Sequence, residues 1–270
     1  DEIPVLASVT HRVLWAALLL WIVVALRRLP IPRNPRIWGA FLVMGCLNNV
    51  IPFSLMAWGQ LTIETGLTAI LNAATAIWGV LVAAAIFKDE RLSWMRTGGV
   101  FIGFAGVAIA VGANNLLAFD PRSLAQIAII AGTLSYAFAG SWARATLSSQ
   151  PPIVAAAGML SGSTLVMIPL TLMVEGSIPL RLGAQTWAAI AYYAIAATAL
   201  AYLLYYRILA SSGAGNLLLV TLLIPPVAIV LGVSVRNEAI PTQAYLGFAL
   251  LALGLALIDG RLFGAGKRSD

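Results

Sequence analysis

The feature that most restricts this sequence is a recurrence of charge-free apolar runs. Each is about 20 residues long, the length an α-helix needs to cross the hydrocarbon core of a bilayer. Divided at charged or Pro/Gly-rich breaks, the runs predict helices near 5–26, 37–60, 66–87, 95–113, 123–146, 153–174, 186–209, 214–235 and 242–259. A membrane-spanning strand would need only about ten residues of alternating polarity. These runs are continuous and rich in Leu and Ala, so helices fit and strands do not. Composition agrees, with 61% of the 270 residues hydrophobic and 10% charged, against roughly 45–50% and 25% in an ordinary soluble domain. The breaks are too short for an extramembrane catalytic domain. Any function therefore lies inside an all-α, polytopic membrane helix bundle.

Several chemistries are excluded by what the chain holds. The single cysteine, Cys46, allows no intramolecular disulfide, and the single histidine, His11, has no second imidazole to share a metal. Zinc and Cys/His catalysis are disfavoured on that count. No nucleotide-binding motif occurs, so neither cofactor nor metal is expected. An intramembrane enzyme would need converging ionisable groups within the spans; only His11 and Arg12 qualify, and the chain is read as no enzyme. The net charge of +6 does not point to nucleic acid, because the positive residues gather at helix ends. If the connections alternate sides, twelve of the sixteen Lys and Arg fall on one side together with the carboxyl terminus. The positive-inside rule makes that side cytoplasmic and predicts a multi-pass membrane protein with Asp1 outside.

An internal repeat emerges at a shift of 148 residues, which aligns Pro4 with Pro152, Glu90 with Glu238, Gly99 with Gly247 and Gly106 with Gly254. Gly66 falls near Gly213 and Trp38 near Trp187. The first repeat takes 1–119 and the second 120–260, with 261–270 as a cytoplasmic tail. The second half carries five helices and the first only four. The expected partner of the helix at 123–146 would precede Asp1, giving nine helices of an expected ten. With five spans per half the halves enter from opposite sides, so the repeat is inverted, and inverted repeats place the solute site near the midplane.

The stretches Ala199–Leu209 and Gly213–Val227, with Asn237-Glu238 and the Gly247 to Gly254 helix, resemble the second EamA domain of the drug/metabolite transporter superfamily. Lys88-Asp-Glu-Arg91 before Gly98-Gly99 matches in the first half. The resemblance covers nearly the whole chain. It implies ten helices in a five-plus-five inverted repeat, from which this chain departs by one helix at the start. Within the superfamily the chain is similar to bacterial amino-acid and metabolite exporters, including the YddG-like exporters of aromatic amino acids. The stretch Thr10-His-Arg-Val-Leu-Trp15 also resembles the RarD-like branch.

Candidate site residues come from polar and aromatic groups within spans. His11 and Arg12 are ionisable at or near bilayer depth, where charge is costly, and are candidate proton or charge sites. Snorkelling of Arg12 is the structural alternative. Polar stripes at helical spacing include Asn49 and Phe53 on the second run, Thr68, Asn72, Thr75 and Gly79 on the third, with Trp78 deep in the same run. Ser135 and Tyr136, with Trp142 at the margin, lie on the fifth, and Thr198, Tyr202 and Tyr205 on the seventh. Asn49, Phe53, Asn72, Thr75, Trp78, Tyr136, Trp142, Tyr202 and Tyr205 are the expected substrate-binding residues. Interhelical hydrogen bonding and interfacial aromatic belts are the alternatives for these groups. Pro225-Pro226 removes two donors from a helix ladder and is read as a gating hinge or a static kink. Gly99/Gly103 and Gly158/Gly162 are small-xxx-small pairs for close helix packing, with a homodimer as one outcome.

These features together predict a secondary transporter that exports amino acids, aromatic ones among them, or related metabolites by alternating access. The expected partners are a small-molecule substrate and the lipid bilayer. A channel-like or multidrug/metabolite facilitator is the alternative.

Overall fold

The computed structural model describes residues 2–63, 65–89, 93–236 and 242–259. Glu90, Arg91, Asn237, Glu238 and the tail 261–270, all used in the sequence reading, lie outside the described residues. Among the described residues the secondary structure is entirely helical. Helix α1 is Val5–Leu26. Helix α2 is Pro35–Gly59 with a π-helical turn at Cys46–Val50. Helix α3 is two segments, Thr65–Ala73 and Thr75–Ile86, and α4 is Trp94–Val111. Helices α5 and α6 are Leu124–Leu147 and Pro152–Glu175. A helical stretch begins at Ala184, takes a π-helical turn at Ile195–Leu200, and breaks at Gly213 (φ 80°, ψ 173°), a conformation that favours glycine. This divides it into α7 (184–212) and α8 (214–236). Helix α9 is Thr242–Asp259. The nine runs read from the sequence correspond to these nine helices to within a turn.

Two compact units form, and neither is a sequence half. The first contains residues 1–58 and 138–213, the second 59–137 and 214–270. In the first unit α1 and α6 run antiparallel. The Leu6 and Ala7 N–H groups donate to the two carboxylate oxygens of Glu175 at 2.8 Å each. Further along, the Thr10 and Thr171 hydroxyls lie 2.7 Å apart, and the Trp21 indole donates to Ser161 at 2.7 Å. Helix α2 packs on α6 where glycines remove side-chain bulk. A Cβ on Gly158 would lie 2.3 Å from the Phe41 ring, and one on Gly162 2.8 Å from the Phe41 carbonyl.

The Glu175 contact has a physical cause. Helix α1 starts after Pro4, whose side chain caps nothing, so its first N–H groups need an acceptor from elsewhere. Glu175 supplies one, and its negative charge also suits the positive end of the helix. Glu2 does the same for α7, accepting from the Gly183 N–H at 2.8 Å and from the Thr186 hydroxyl. Replacing Glu175 by Ala is expected to destabilise the protein by about 1–2 kcal/mol, read as a lower melting temperature in detergent. A Glu175→Ala variant that melts with the wild type would remove this role. The Thr186 hydroxyl, then the Gly183 N–H, lower the pKa of the Glu2 carboxyl. The contribution of Glu2 to stability is therefore present above the ordinary carboxylate pKa and declines as pH falls through the lowered one. Glu2→Gln should flatten the acid side of a stability profile measured from about pH 6 to 2.5.

In the second unit α4 and α9 meet backbone to backbone. A Cβ on Gly99 would lie 2.6 Å from the Gly254 carbonyl, and one on Gly106 2.7 Å from the Gly247 carbonyl. The pairing is antiparallel and reciprocal under the 148-residue shift: Gly99 meets the repeat mate of Gly106, and Gly106 meets the repeat mate of Gly99. Around this seam lies an apolar core of Ala76, Val80, Val100, Val107, Leu222 and Leu251.

Candidate functional site

The site is best built from two irregular turns. The π-helical turns of α2 and α7 begin at Cys46 and Ile195, 149 residues apart, so they occupy matching places in the two sequence halves. The same shift pairs Asn49 with Thr198 and Phe53 with Tyr202. A π-turn inserts one residue, which re-aims the side chains and frees a carbonyl from its usual partner. Both consequences are seen here, within the first unit.

Asn49 is completely buried. Its Oδ1 accepts from the Tyr202 hydroxyl, and its Nδ2 donates to Ser163 Oγ at 2.7 Å. Ser163 in turn donates to the Met159 carbonyl at 3.0 Å. The amide is therefore oriented by a chain of bonds running from α7 through α2 to α6. Tyr202 lies edge-on to Tyr205, and Tyr205 to Tyr206, with centroids 5.8 and 5.2 Å apart.

Arg12 enters from α1. Its Nε–H donates to Thr198 Oγ1 at 2.7 Å and one Nη2 proton goes to the Ala197 carbonyl at 3.2 Å, inside the π-turn. The guanidinium carbon stands 3.9 Å from the centroid of the Phe53 ring and 5.7 Å from that of Tyr193. A cation over an aromatic face is worth about 2 kcal/mol when desolvated. Thr198 is fully buried and sits about 20 Å from either end of α7 at 1.5 Å per residue. The charge is thus held beside the middle of a membrane-length helix.

His11 is also fully buried, but in a different setting. Its Nε2 is 2.8 Å from the Pro179 carbonyl and its Nδ1 accepts from the Trp15 indole at 3.2 Å. A carbonyl can only accept and an indole N–H can only donate, so these partners select the neutral tautomer with its proton on Nε2. Trp187 closes the ring edge-on at 5.5 Å. Both nitrogens being engaged, His11 is placed as a clasp between α1 and the 176–183 connection. We expect His11→Ala to lower the melting temperature while leaving the pH profile of transport unchanged. A displaced profile would restore His11 as a proton carrier.

Of the remaining candidates, Trp142 donates to the Ala40 carbonyl at 3.1 Å and ties α5 to α2 in the first unit. Asn72, Thr75, Trp78, Tyr136, Pro225 and Pro226 belong to the second unit. There the Thr75 hydroxyl donates to the Asn72 carbonyl at 2.7 Å, beside the interruption at Ala74. Thr221 makes the matching bond to the Leu218 carbonyl at 2.7 Å, within the 3-10 stretch Leu219–Leu223. The two sequence halves thus break their helices at corresponding places. Pro225 and Pro226 open the helical segment that follows, Ile224–Arg236. In a first turn their missing N–H groups cost little.

Ser163 and Glu175 were absent from the sequence-derived site. Ser163 lies one residue beyond Gly162, and a polar residue next to a small-residue contact is the available signal. Glu175 is a carboxylate at the end of an apolar run, with nothing in the sequence to say which helix it caps. A groove of about 890 Å³ on the first unit is lined by Trp15, Leu18, Trp21, Trp187, Ile190 and Ile195, among others. The Trp15 and Trp21 indole protons are already given to His11 and Ser161. The groove therefore suits apolar chains such as lipid tails better than a polar solute.

Membrane-length helices with a buried polar cluster at paired π-turns define a multi-pass membrane protein of the transporter class. Residues 1–112 and 123–259 match the EamA-like transporter family, and the chain belongs to that family. It is a transporter-family protein and not an enzyme. It is similar to a protein of Streptantibioticus cattleyicolor described as a probable terminal-alkyne amino-acid exporter, with 26% identity over 80% of this chain and 71% of that one. The uncharacterized transporters YvbV and YwfM of Bacillus subtilis share 25% and 27% identity, over 89% and 81% of this chain and 78% and 72% of their own lengths. A crystal structure at 15% identity aligns with 96% of this chain and 90% of its own at a TM-score of 0.81, a likeness of fold.

Proposed function

We propose that this chain exports amino acids or closely related metabolites across the bacterial inner membrane by alternating access, with its carboxyl terminus in the cytoplasm. The observation that carries this reading is the half-buried Arg12 with the buried Asn49, Thr198 and Tyr202, held in pairs by directed hydrogen bonds at the two π-turns. Interior polar groups in membrane helices are expensive and mark solute pathways. The relative described as an amino-acid exporter supports the same class of solute. Phe53, Tyr202 and Tyr205 provide aromatic surface, which favours solutes with apolar or aromatic side chains. Trp142 of the first unit and, separately, Asn72, Thr75, Trp78 and Tyr136 of the second are the other residues we assign to substrate binding. The paired breaks near Ala74 and Leu219–Leu223, the latter followed by Pro225-Pro226, are the segments we assign to gating, as interrupted helices serve many transporters.

The test is counterflow of labelled L-phenylalanine and other L-amino acids in proteoliposomes holding the purified chain. Saturable exchange accelerated by amino acid on the opposite face is the expected result. Flux without such trans-stimulation would indicate a channel, and no flux for any amino acid would defeat the substrate assignment.

A further inference from the structure

Arg12 has more donors than the protein uses. A guanidinium carries five N–H groups; Nε and one Nη2 proton are bonded to Thr198 and Ala197. The two Nη1 protons and the second Nη2 proton have no acceptor among the described residues. No described Asp or Glu pairs with it either. Of the acidic groups described in the first unit, Glu2 is committed to the Gly183 N–H and the Thr186 hydroxyl at the start of α7, and Glu175 to the Leu6 and Ala7 N–H groups of α1. Phe53 covers a face of the guanidinium, which leaves the edge as the direction of approach. Thr198 and Ala197 fix the plane by holding the Nε side. The residue as a whole is half-buried.

A fixed guanidinium with a free edge, set beside the middle of a membrane-length helix and with no counter-charge among the described residues, is matched to a carboxylate. Two parallel N–H···O bonds form in the guanidinium plane, which a lysine cannot reproduce. We propose that Arg12 is the anchor for the solute's carboxylate, so that the transported class is carboxylates and α-amino acids, and their amides and decarboxylated amines are excluded. This rests on the reading of the chain as an amino-acid exporter and adds a selectivity rule to it. Thr198 acts as a positioning residue, holding the plane of the guanidinium without touching the solute.

Proteoliposomes holding the full chain and loaded with L-phenylalanine would be challenged with labelled L-phenylalanine, 3-phenylpropanoate, L-phenylalaninamide and phenethylamine. The wild type is expected to exchange the two carboxylates and neither of the others. Arg12→Gln should reduce phenylalanine counterflow about 10- to 100-fold, the scale of hydrogen bonds to a charged group, with Arg12→Lys between the two. Equal passage of amide and amino acid by the wild type overturns the proposal, and that comparison needs no variant to fold. Undiminished counterflow in a well-folded Arg12→Gln overturns it as well. If the wild type moves no amino acid, the exporter reading fails by itself. The anchor is then judged by binding of 3-phenylpropanoate and its amide to nanodisc-held protein. Preference for the carboxylate, lost in Arg12→Gln, supports the anchor, and equal or absent binding rejects it.

Discussion

Gly254→Val is expected to prevent recovery of folded protein, and Gly254→Ala to lower the melting temperature sharply. A Cβ at this position would lie 2.6 Å from both the Gly103 nitrogen and the Gly99 carbonyl oxygen. Both obstacles are backbone atoms of α4, so no rotamer change relieves the clash and the two helices must separate. Separation then loses packing along the whole seam, including Gly106 against Gly247. Overpacking a core costs about 1–3 kcal/mol when side chains can adjust; here they cannot, and a loss at or above the top of that range is expected. Gly98→Ala is the control, because nothing lies within 4 Å of its added Cβ and alanine is about 1 kcal/mol better than glycine in a helix. Size-exclusion profiles and thermal melts in detergent would compare them. Matching melts for Gly254→Ala and Gly98→Ala would show that the seam is looser than described.

Asn49→Leu is expected to reduce amino-acid counterflow by about 100-fold, on the reading that the cluster binds solute. The leucine removes the acceptor of Tyr202 and the donor to Ser163 at once, in a place where each lost buried bond costs about 1–3 kcal/mol. Tyr202→Phe removes one bond and should lower counterflow by only about 10-fold. Because the two residues share that bond, Asn49→Leu combined with Tyr202→Phe should be no worse than Asn49→Leu alone. Additive losses would show that the residues act separately. Counterflow at the wild-type rate in Asn49→Leu would reduce the whole chain from Tyr202 to Met159 to a packing device.

Much of this was legible in the linear chain. Hydropathy located the nine helices of the described residues to within a turn, because a bilayer imposes a minimum length and penalises charge without reference to neighbours. The 148-residue shift found glycines that turned out to meet one another reciprocally, since a position where two backbones touch tolerates only glycine. Asn49, Phe53 and Tyr202 were recognised as polar or aromatic groups on interior stripes. Periodicity could not reveal the π-turns, which change the register of α2 and α7 midway. For the same reason it could not foresee that Arg12 would bond within the turn of α7.

His11 and Arg12 are adjacent in sequence and looked equivalent there, as two ionisable groups near one end of a span. Their separate surroundings came only from the fold: one is clasped between a carbonyl and an indole, while the other is held over Phe53 with donors to spare. Composition and spacing determined that this chain is a membrane-embedded bundle of helices, because burial of backbone polar groups in lipid is a local requirement that each segment meets alone. Which polar residues satisfy one another, and which keep donors to spare, depends on contacts between helices up to about 190 residues apart, such as Arg12 with Thr198. Those were decided by the tertiary structure.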